Sequence, residues 1–306
     1  MNISKKNYKK GTKLSLFFFL FPGILLVIVF FVIPAILTFI LSFTDMDYSF
    51  NWDFHGFTNF KDMFSDFLVP IVIKNTFTYV LLTLTFFNVG LALVLSLLTT
   101  SIDENGGLVF RLLWMLPRLT PSVVYSLLWL WIFDPTKFGM INGIRTEAFG
   151  KEPINFLSAH PMLIIIFANG FVGASFGMIL FTSAIKSIPR DYIYAAKVDG
   201  GGWFFTVRKV ILPILKWQIL FTTAYQTLSL LTSFEYILIL TDGGPVFSTE
   251  VWALYTYHTA FENFRFGYGA ALSLVLVVLG FVASLIYLKI FKFENMMEDP
   301  RIEVDS

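Results

Sequence analysis

The chain has 306 residues, and its composition is too apolar for a soluble protein. Hydrophobic residues make up 56% and charged residues only 14%, whereas soluble domains carry about 25% charged residues. The formal net charge of +1 gives no support to a nucleic-acid partner, whose binding would need a basic surface. The absence of cysteine excludes disulfides, thiol nucleophiles and cysteine-ligated metals. We therefore predict an all-α membrane protein whose surface largely faces lipid.

Gaps between the charged residues predict six membrane-spanning helices. A helix needs about 20 apolar residues to cross the hydrocarbon core, and four charge-free runs exceed that length. Two further runs are too short unless one charge lies within the membrane, Arg118 in one and Glu235 in the other. The predicted spans are 15–42, 72–99, 108–133, 161–185, 211–240 and 268–291.

Basic residues predict the orientation of these spans. An even number of spans places both termini on one side, and the predicted loops on that side hold most of the Lys and Arg residues. The positive-inside bias then places both termini in the cytoplasm. We expect a basic tail over 1–13, a membrane domain over 14–291 and a second tail over 292–306. A cleaved signal peptide is the alternative for the first span, but that run is about twice the usual length of 7–15 residues.

Motifs for catalysis are missing from the sequence. The three histidines lie on predicted external loops without a spacing that pairs two of them on one helix face. No GxxxxGK[ST] loop is present to hold nucleotide phosphates. We expect no catalytic residue, no metal site and no cofactor in this chain, so any ATP and Mg must be bound by another subunit.

The predicted cytoplasmic loop over 187–213 contains a short helix with a signal at each end. Pro189 suits the start and Asp191 suits the N-cap. The glycines that begin at Gly200 supply the positive φ that ends a helix. Such a helix outside the bilayer has few membrane contacts, so its exposed side chains are available to a cytoplasmic protein.

This loop resembles the EAA loop of ABC-importer permeases, whose pattern is E-A-A, three residues, G, nine residues and I-x-L-P. The spacing matches, but Tyr194 replaces the Glu and Val210 replaces the Ile. The missing Glu is the residue thought to make a charged contact with the ATPase, so the resemblance implies an uncharged contact here. The implied coupling residues are Tyr194, Ala195, Ala196, Asp199, Gly200, Leu212 and Pro213.

Two further stretches are similar to carbohydrate-importing permeases, close to the first permease subunit of maltose-type systems. They are the third-span sequence over 111–135 and the TDGGP turn over 241–245. The resemblance implies six spans with a cytoplasmic coupling helix, in a bacterial inner membrane. It also implies a second permease, two ATPase subunits, an extracytoplasmic sugar-binding protein and alternating access. An importer of another solute, such as a polyamine or a phosphate ester, is the alternative.

Polar and aromatic residues within the predicted spans are the candidates for the substrate path, because unpaired polar groups are costly in lipid. In similar permeases the path follows the Leu-Pro of the third span, an Asn in the fourth and polar residues before the TxGGP turn. The candidates are Arg118, Ser122, Tyr125, Asn169, Ser229, Thr232, Ser233 and Glu235. Two ordinary roles stay open: Arg118 and Glu235 pair with each other or with the partner permease, and the hydroxyls bond their own helices.

Overall fold

The computed structural model describes residues 8–291, and the side chains of residues 15–290. In this part of the chain the secondary structure is helical, apart from one isolated antiparallel bridge between Thr44 and Phe54. The all-α prediction is confirmed. Residues 1–7 and the predicted tail over 292–306 lie outside the described residues.

The helices are α1 (Tyr8–Val27), α2 (Ile33–Leu41), α3 (Thr58–Ser65), α4 (Leu68–Leu82), α5 (Ala92–Ser101), α6 (Glu104–Leu119), α7 (Ser122–Ile132), α8 (Met140–Phe149), α9 (Phe156–Ala159), α10 (Pro161–Lys186), α11 (Arg190–Val198), α12 (Trp203–Thr206), α13 (Leu212–Ile214), α14 (Lys216–Thr232), α15 (Glu235–Leu240), α16 (Trp252–Tyr257) and α17 (Phe266–Phe291). Segments of π-helix are π1 (Ile28–Val32), π2 (Thr83–Leu91), π3 (Val207–Ile211) and π4 (His258–Glu262).

Four of the predicted spans form helices that are long and apolar enough to cross a membrane. They are Ser15–Leu41, Leu68–Ser101, Pro161–Lys186 and Phe266–Ile290. The first two run without a break through π1 and π2 respectively. Residues 8–13 of the predicted basic tail belong to α1.

The third and fifth predicted spans are not continuous helices, and in this respect the prediction was wrong. The third breaks at Thr120 and Pro121, whose ψ angles of 135° and 139° are extended. The fifth breaks at Ser233, whose ψ is 123°. Pro121 lacks an N–H, and its ring disfavours a helical residue before it, so a break here has a local cause.

The described residues form two compact units, which consist of 8–65 with 256–275 and of 66–255 with 276–291. In the first unit, buried Asn59 ties down the end of α2. Its amide nitrogen donates to the carbonyls of Ser42 and Thr44 at 3.0 and 2.8 Å. The Gly267 N–H donates to the Met46 carbonyl at 2.9 Å, and a side chain at Gly267 would collide with the Thr44 carbonyl.

The second unit is built around α10, most of which is buried. Three glycines on one face of α10 allow α5 and π2 to approach closely. A Cβ at Gly170 would lie 2.3 Å from the Phe87 ring, and one at Gly173 would lie 2.1 Å from Asn88 Oδ1. The other face of the core joins Phe181 of α10 to Ile211 of π3 and to Leu215. The C-terminal end of the predicted cytoplasmic loop is therefore packed directly on the central helix.

Candidate functional site

The helix predicted within the cytoplasmic loop is present as α11, and its ends follow from the sequence. Pro189 is the N-cap, whereas Asp191 lies in the first turn and not at the N-cap as predicted. Gly200 has a φ of +76°, and the Gly201 N–H donates to the Ala196 carbonyl at 2.9 Å. This is the Schellman arrangement that ends a helix at a left-handed residue.

The side chains of α11 divide into a buried and an exposed face. Ala196 is buried, whereas Tyr194, Ala195 and Asp199 are exposed. Val198 is 86% exposed. Of the other predicted coupling residues, Gly200 and Pro213 are exposed and Leu212 is half-buried. The exposed residues of α11 thus combine aromatic and aliphatic side chains with the charged Asp191 and Lys197, a mixture that a protein partner could cover.

An ion cluster in the second unit lies where α5 and α10 end and α6 begins. Glu104 binds Lys186 of α10, and its Oε1 lies 3.5 Å from Nη2 of Arg111. Nη1 of buried Arg111 also donates to the Thr99 carbonyl at 3.2 Å. The hydrogen bond and charge of Lys186 lower the pKa of Glu104. The cluster ties the start of α6 to the ends of α5 and α10.

Two of the predicted path residues are joined with a tyrosine in a buried polar network at the break of the fifth span. Asn169 Nδ2 donates to Ser233 Oγ at 3.1 Å and to the Tyr79 hydroxyl. The Tyr79 hydroxyl in turn donates to Ser233 Oγ at 3.3 Å. The network thus links α4, α10 and the residue between α14 and α15. Asn169 and Ser233 hold the broken helix in place.

Tyr125 is another buried candidate, and it also contacts α10. Its hydroxyl donates to the Ala168 carbonyl at 2.8 Å. Its ring meets the ring of Tyr236 edge to face, with the centroids 5.7 Å apart, and that of Trp129 at 6.1 Å. These contacts connect α7 to α15, the two helices that follow the two breaks.

The remaining candidates lie nearer the surface of the unit. Arg118, Ser229, Thr232 and Glu235 are exposed, and Ser122 is half-buried. The Thr232 hydroxyl donates to the carbonyls of Leu228 and Ser229 in its own helix. In residues 8–291, no carboxylate lies within 4.0 Å of the Arg118 guanidinium. The pair between Arg118 and Glu235 is therefore not formed, and that interpretation was wrong for this structure.

A stack of aromatic rings leads to Arg118, and the sequence did not predict it. The rings of Phe221 and Tyr225 on α14 lie 6.4 Å apart at 12°. Tyr225 stacks on Phe176 of α10 at 4.7 Å and 26°. The Arg118 guanidinium carbon lies 5.4 Å from the Phe176 centroid. The i, i+4 spacing of Phe221 and Tyr225 was the available signal, but Phe176 reaches them only through tertiary packing.

Comparison with known proteins identifies the family. The model of the family described as "Binding-protein-dependent transport system inner membrane component" matches residues 92–292. The chain belongs to this family. It is therefore a membrane component of a transport system and not an enzyme, and the resemblance to ABC-importer permeases is confirmed.

Individual relatives include permeases for different solutes. The chain is 29% identical over 258 residues to the diacetylchitobiose uptake system permease NgcF of Streptomyces coelicolor, over 79% of this chain and 72% of that one. It is 28% identical over 235 residues to the sn-glycerol-3-phosphate permease UgpA of Rhizobium meliloti, over 75% and 78%.

The fold is similar to a chain in the crystal structure of a bacterial alginate ABC transporter, solved with a periplasmic protein that holds an alginate pentasaccharide. The TM-score is 0.82 at 22% identity, and the match covers 94% of this chain and 99% of the other. The architecture of α1 to α17 is therefore that of an ABC-importer permease.

Proposed function

We propose that this chain is one permease subunit of an ATP-driven importer of oligosaccharides, and that it forms half of the path across the membrane. The observation that carries this proposal is the stack from Phe221 to Arg118, which lies beside the exposed Ser229. Sugars bind through stacking of their rings on aromatic faces and through hydrogen bonds to their hydroxyls. A surface that offers both suits an oligosaccharide.

The path would be completed by a second permease subunit. Arg118, Ser229, Thr232 and Glu235 are exposed within this chain, and charged groups exposed at membrane depth need a cavity or a partner. A second permease that faces these residues would enclose a polar channel and separate it from lipid. An extracytoplasmic sugar-binding protein would deliver the substrate to that channel, and both termini would lie in the cytoplasm.

Coupling to ATP hydrolysis would pass through α11. Two ATPase subunits, which bind ATP and Mg, would contact Tyr194, Ala195 and Asp199 on its exposed face. The segment after α11 reaches the core, where Ile211 packs in the same cluster as Phe181 of α10. A displacement of α11 is thereby transmitted to the central helix, because close-packed cores move as units.

The test replaces Gly200 with proline in the complete complex, reconstituted in proteoliposomes with the binding protein. Proline fixes φ near −65°, which excludes the +76° that Gly200 adopts. We expect Gly200→Pro to insert normally and to lose the ATP hydrolysis that the loaded binding protein stimulates. The control is Gly202→Ala, since Gly202 has an ordinary φ of −71° and open space at its Cβ. Normal stimulation in Gly200→Pro would contradict the role of α11.

Transport itself is measured as ATP-dependent uptake from a mixture of oligosaccharides, glycerol phosphate and a polyamine. The proposal expects uptake of an oligosaccharide. The phosphate ester is the second candidate, because UgpA is about as similar to this chain as NgcF is. Uptake of glycerol phosphate or of the polyamine without any saccharide would refute the proposed substrate class.

A further inference from the structure

We propose that the imported oligosaccharide carries an anionic group and that Arg118 selects it, an inference that rests on the proposed function above. The first observation is the position of the cation. Arg118 is in the last turn of α6, next to the break at Thr120, within the third predicted span. Its side chain is exposed, so the guanidinium is not enclosed by its own subunit and is available to the proposed path.

The second observation is that this charge is not neutralised within the chain. Among residues 8–291 the guanidinium has neither a carboxylate within 4.0 Å nor a hydrogen-bond acceptor. The guanidinium instead contacts the face of the Phe176 ring, with Cζ of Arg118 5.4 Å from the ring centroid. An arginine at membrane depth normally has a counter-charge or water around it. The ring attracts the cation but leaves the N–H donors available, so an arriving anion would find them unoccupied.

The third observation is the order of groups along the surface. Phe221, Tyr225 and Phe176 stack one after another, and Arg118 lies at the end of the series. Phe221 and Tyr225 are 51% and 46% exposed, so a saccharide that lies along the exposed side of this series would bring a substituent to the guanidinium. Its planar fork binds a carboxylate through two parallel hydrogen bonds, a geometry that a neutral hydroxyl cannot match. A uronic acid is the sugar that fits both parts of this surface.

Selection of an anion also accounts for the separation of Arg118 from Glu235. If Arg118 were a structural cation, the acid of its own chain would be the simplest partner. The two groups are exposed and not paired with each other. The competing explanation is an acid on the second permease that pairs with Arg118 in the assembled complex. This pairing would stabilise the empty complex, whereas a substrate site would not.

The experiment uses the complete complex in proteoliposomes with its binding protein and internal ATP. The external mixture holds uronic-acid and neutral di- to tetrasaccharides at equal concentrations, together with glycerol phosphate, and mass spectrometry reports what is imported. We expect the wild type to import uronic-acid oligosaccharides in preference to neutral ones. Arg118→Gln should reduce that uptake at least about tenfold, since a charge-assisted bond is lost, and Arg118→Lys should reduce it less. The thermal stability of the empty complex should not change.

The control variant is Lys137→Gln, which removes a cation from another aromatic ring, since Nζ of Lys137 lies 5.5 Å from the Phe138 centroid. It should leave the ratio of acidic to neutral uptake unchanged. Preference for neutral saccharides in the wild type would overturn the anion proposal and support the proposed function. A less stable empty complex in Arg118→Gln would also overturn it, in favour of an acid on the second permease. Import of glycerol phosphate alone, or of no saccharide, would overturn both proposals.

Discussion

Gly173→Ala should destabilise the protein because the new methyl group has no room. Its Cβ would lie 2.1 Å from Asn88 Oδ1 and 2.7 Å from Asn88 Cγ, whereas carbon atoms in contact are about 3.5–4.0 Å from their neighbours. Asn88 is 1% exposed and cannot swing into solvent. Overpacking of this kind costs about 1–3 kcal/mol. At about 2–4 °C per kcal/mol, the midpoint of thermal unfolding should fall by roughly 2–12 °C.

Asn88, the side chain that the new methyl group would collide with, allows a more specific test. In the described part of the chain neither polar atom of the Asn88 amide has a hydrogen-bond partner. Asn88→Ala removes that unsatisfied group together with its packing, so its own effect should be small. In the double variant Asn88→Ala/Gly173→Ala the collision is gone, so this variant should lose less stability than the sum of the two single variants.

The assay is the fraction of the detergent-solubilised complex that stays monodisperse in size-exclusion chromatography after heating. Gly23→Ala is the matched control, since it places the same methyl group in an apolar helix with nothing within 4 Å. If Gly173→Ala is as stable as Gly23→Ala, or if Asn88→Ala fails to suppress it, α10 and π2 are not packed as closely as the reasoning requires.

Two further outcomes follow from the polar contacts. Tyr79→Phe should lower the stability in the same assay by about 1–2 kcal/mol, because it removes the hydroxyl that Asn169 and Ser233 share. The double variant Tyr79→Phe/Ser233→Ala should lose less stability than the sum of the two single variants, and full additivity would argue against one network. Lys186 lowers the pKa of Glu104 in the folded protein. The contribution of this pair to the free energy of unfolding is therefore present above the unfolded pKa of about 4.3, and it is lost as the pH falls through the lower folded pKa. Between pH 5 and 8 the difference in unfolding midpoint between wild type and Glu104→Gln should therefore be constant, and a difference that vanishes within this window would refute the assignment.

Features with local causes could be predicted from the sequence. The bounds of α11 follow from Pro189 and Gly200, since one residue favours a helix start and the other supplies the left-handed conformation that ends it. The four long apolar helices follow from composition and length alone. Asn169 and Ser233 were selected correctly as notable polar residues, but their role as substrate contacts stays a prediction.

Features that depend on contacts between helices could not be predicted. Tyr79 lies in an apolar helix, where the sequence does not distinguish it from an ordinary apolar side chain, and only the contact with α10 shows what its hydroxyl binds. The stack of Phe176 on Tyr225 joins residues about fifty positions apart, so no spacing in the sequence reveals it. The two breaks were not predicted, because the sequence analysis places Arg118 and Glu235 as single charges inside continuous spanning helices. In the structure a helix stops near each of these charges.

The two breaks have the same construction. The Thr120 hydroxyl donates to the Leu116 carbonyl at 3.0 Å, and the Thr232 hydroxyl donates to the Ser229 carbonyl at 3.2 Å. In each case a threonine satisfies a carbonyl that the end of the helix leaves open.

Backbone that leaves the helix at membrane depth is tolerated only where protein or a water-filled cavity covers it. The helices that follow the breaks, α7 and α15, pack against each other, so protein covers one side. The exposed Arg118 and Glu235 lie one near each break. Lipid cannot satisfy open backbone and two charges together, so the side of the breaks that bears these charges must face water or a second subunit. The proposed path therefore follows from the backbone as well as from the side chains.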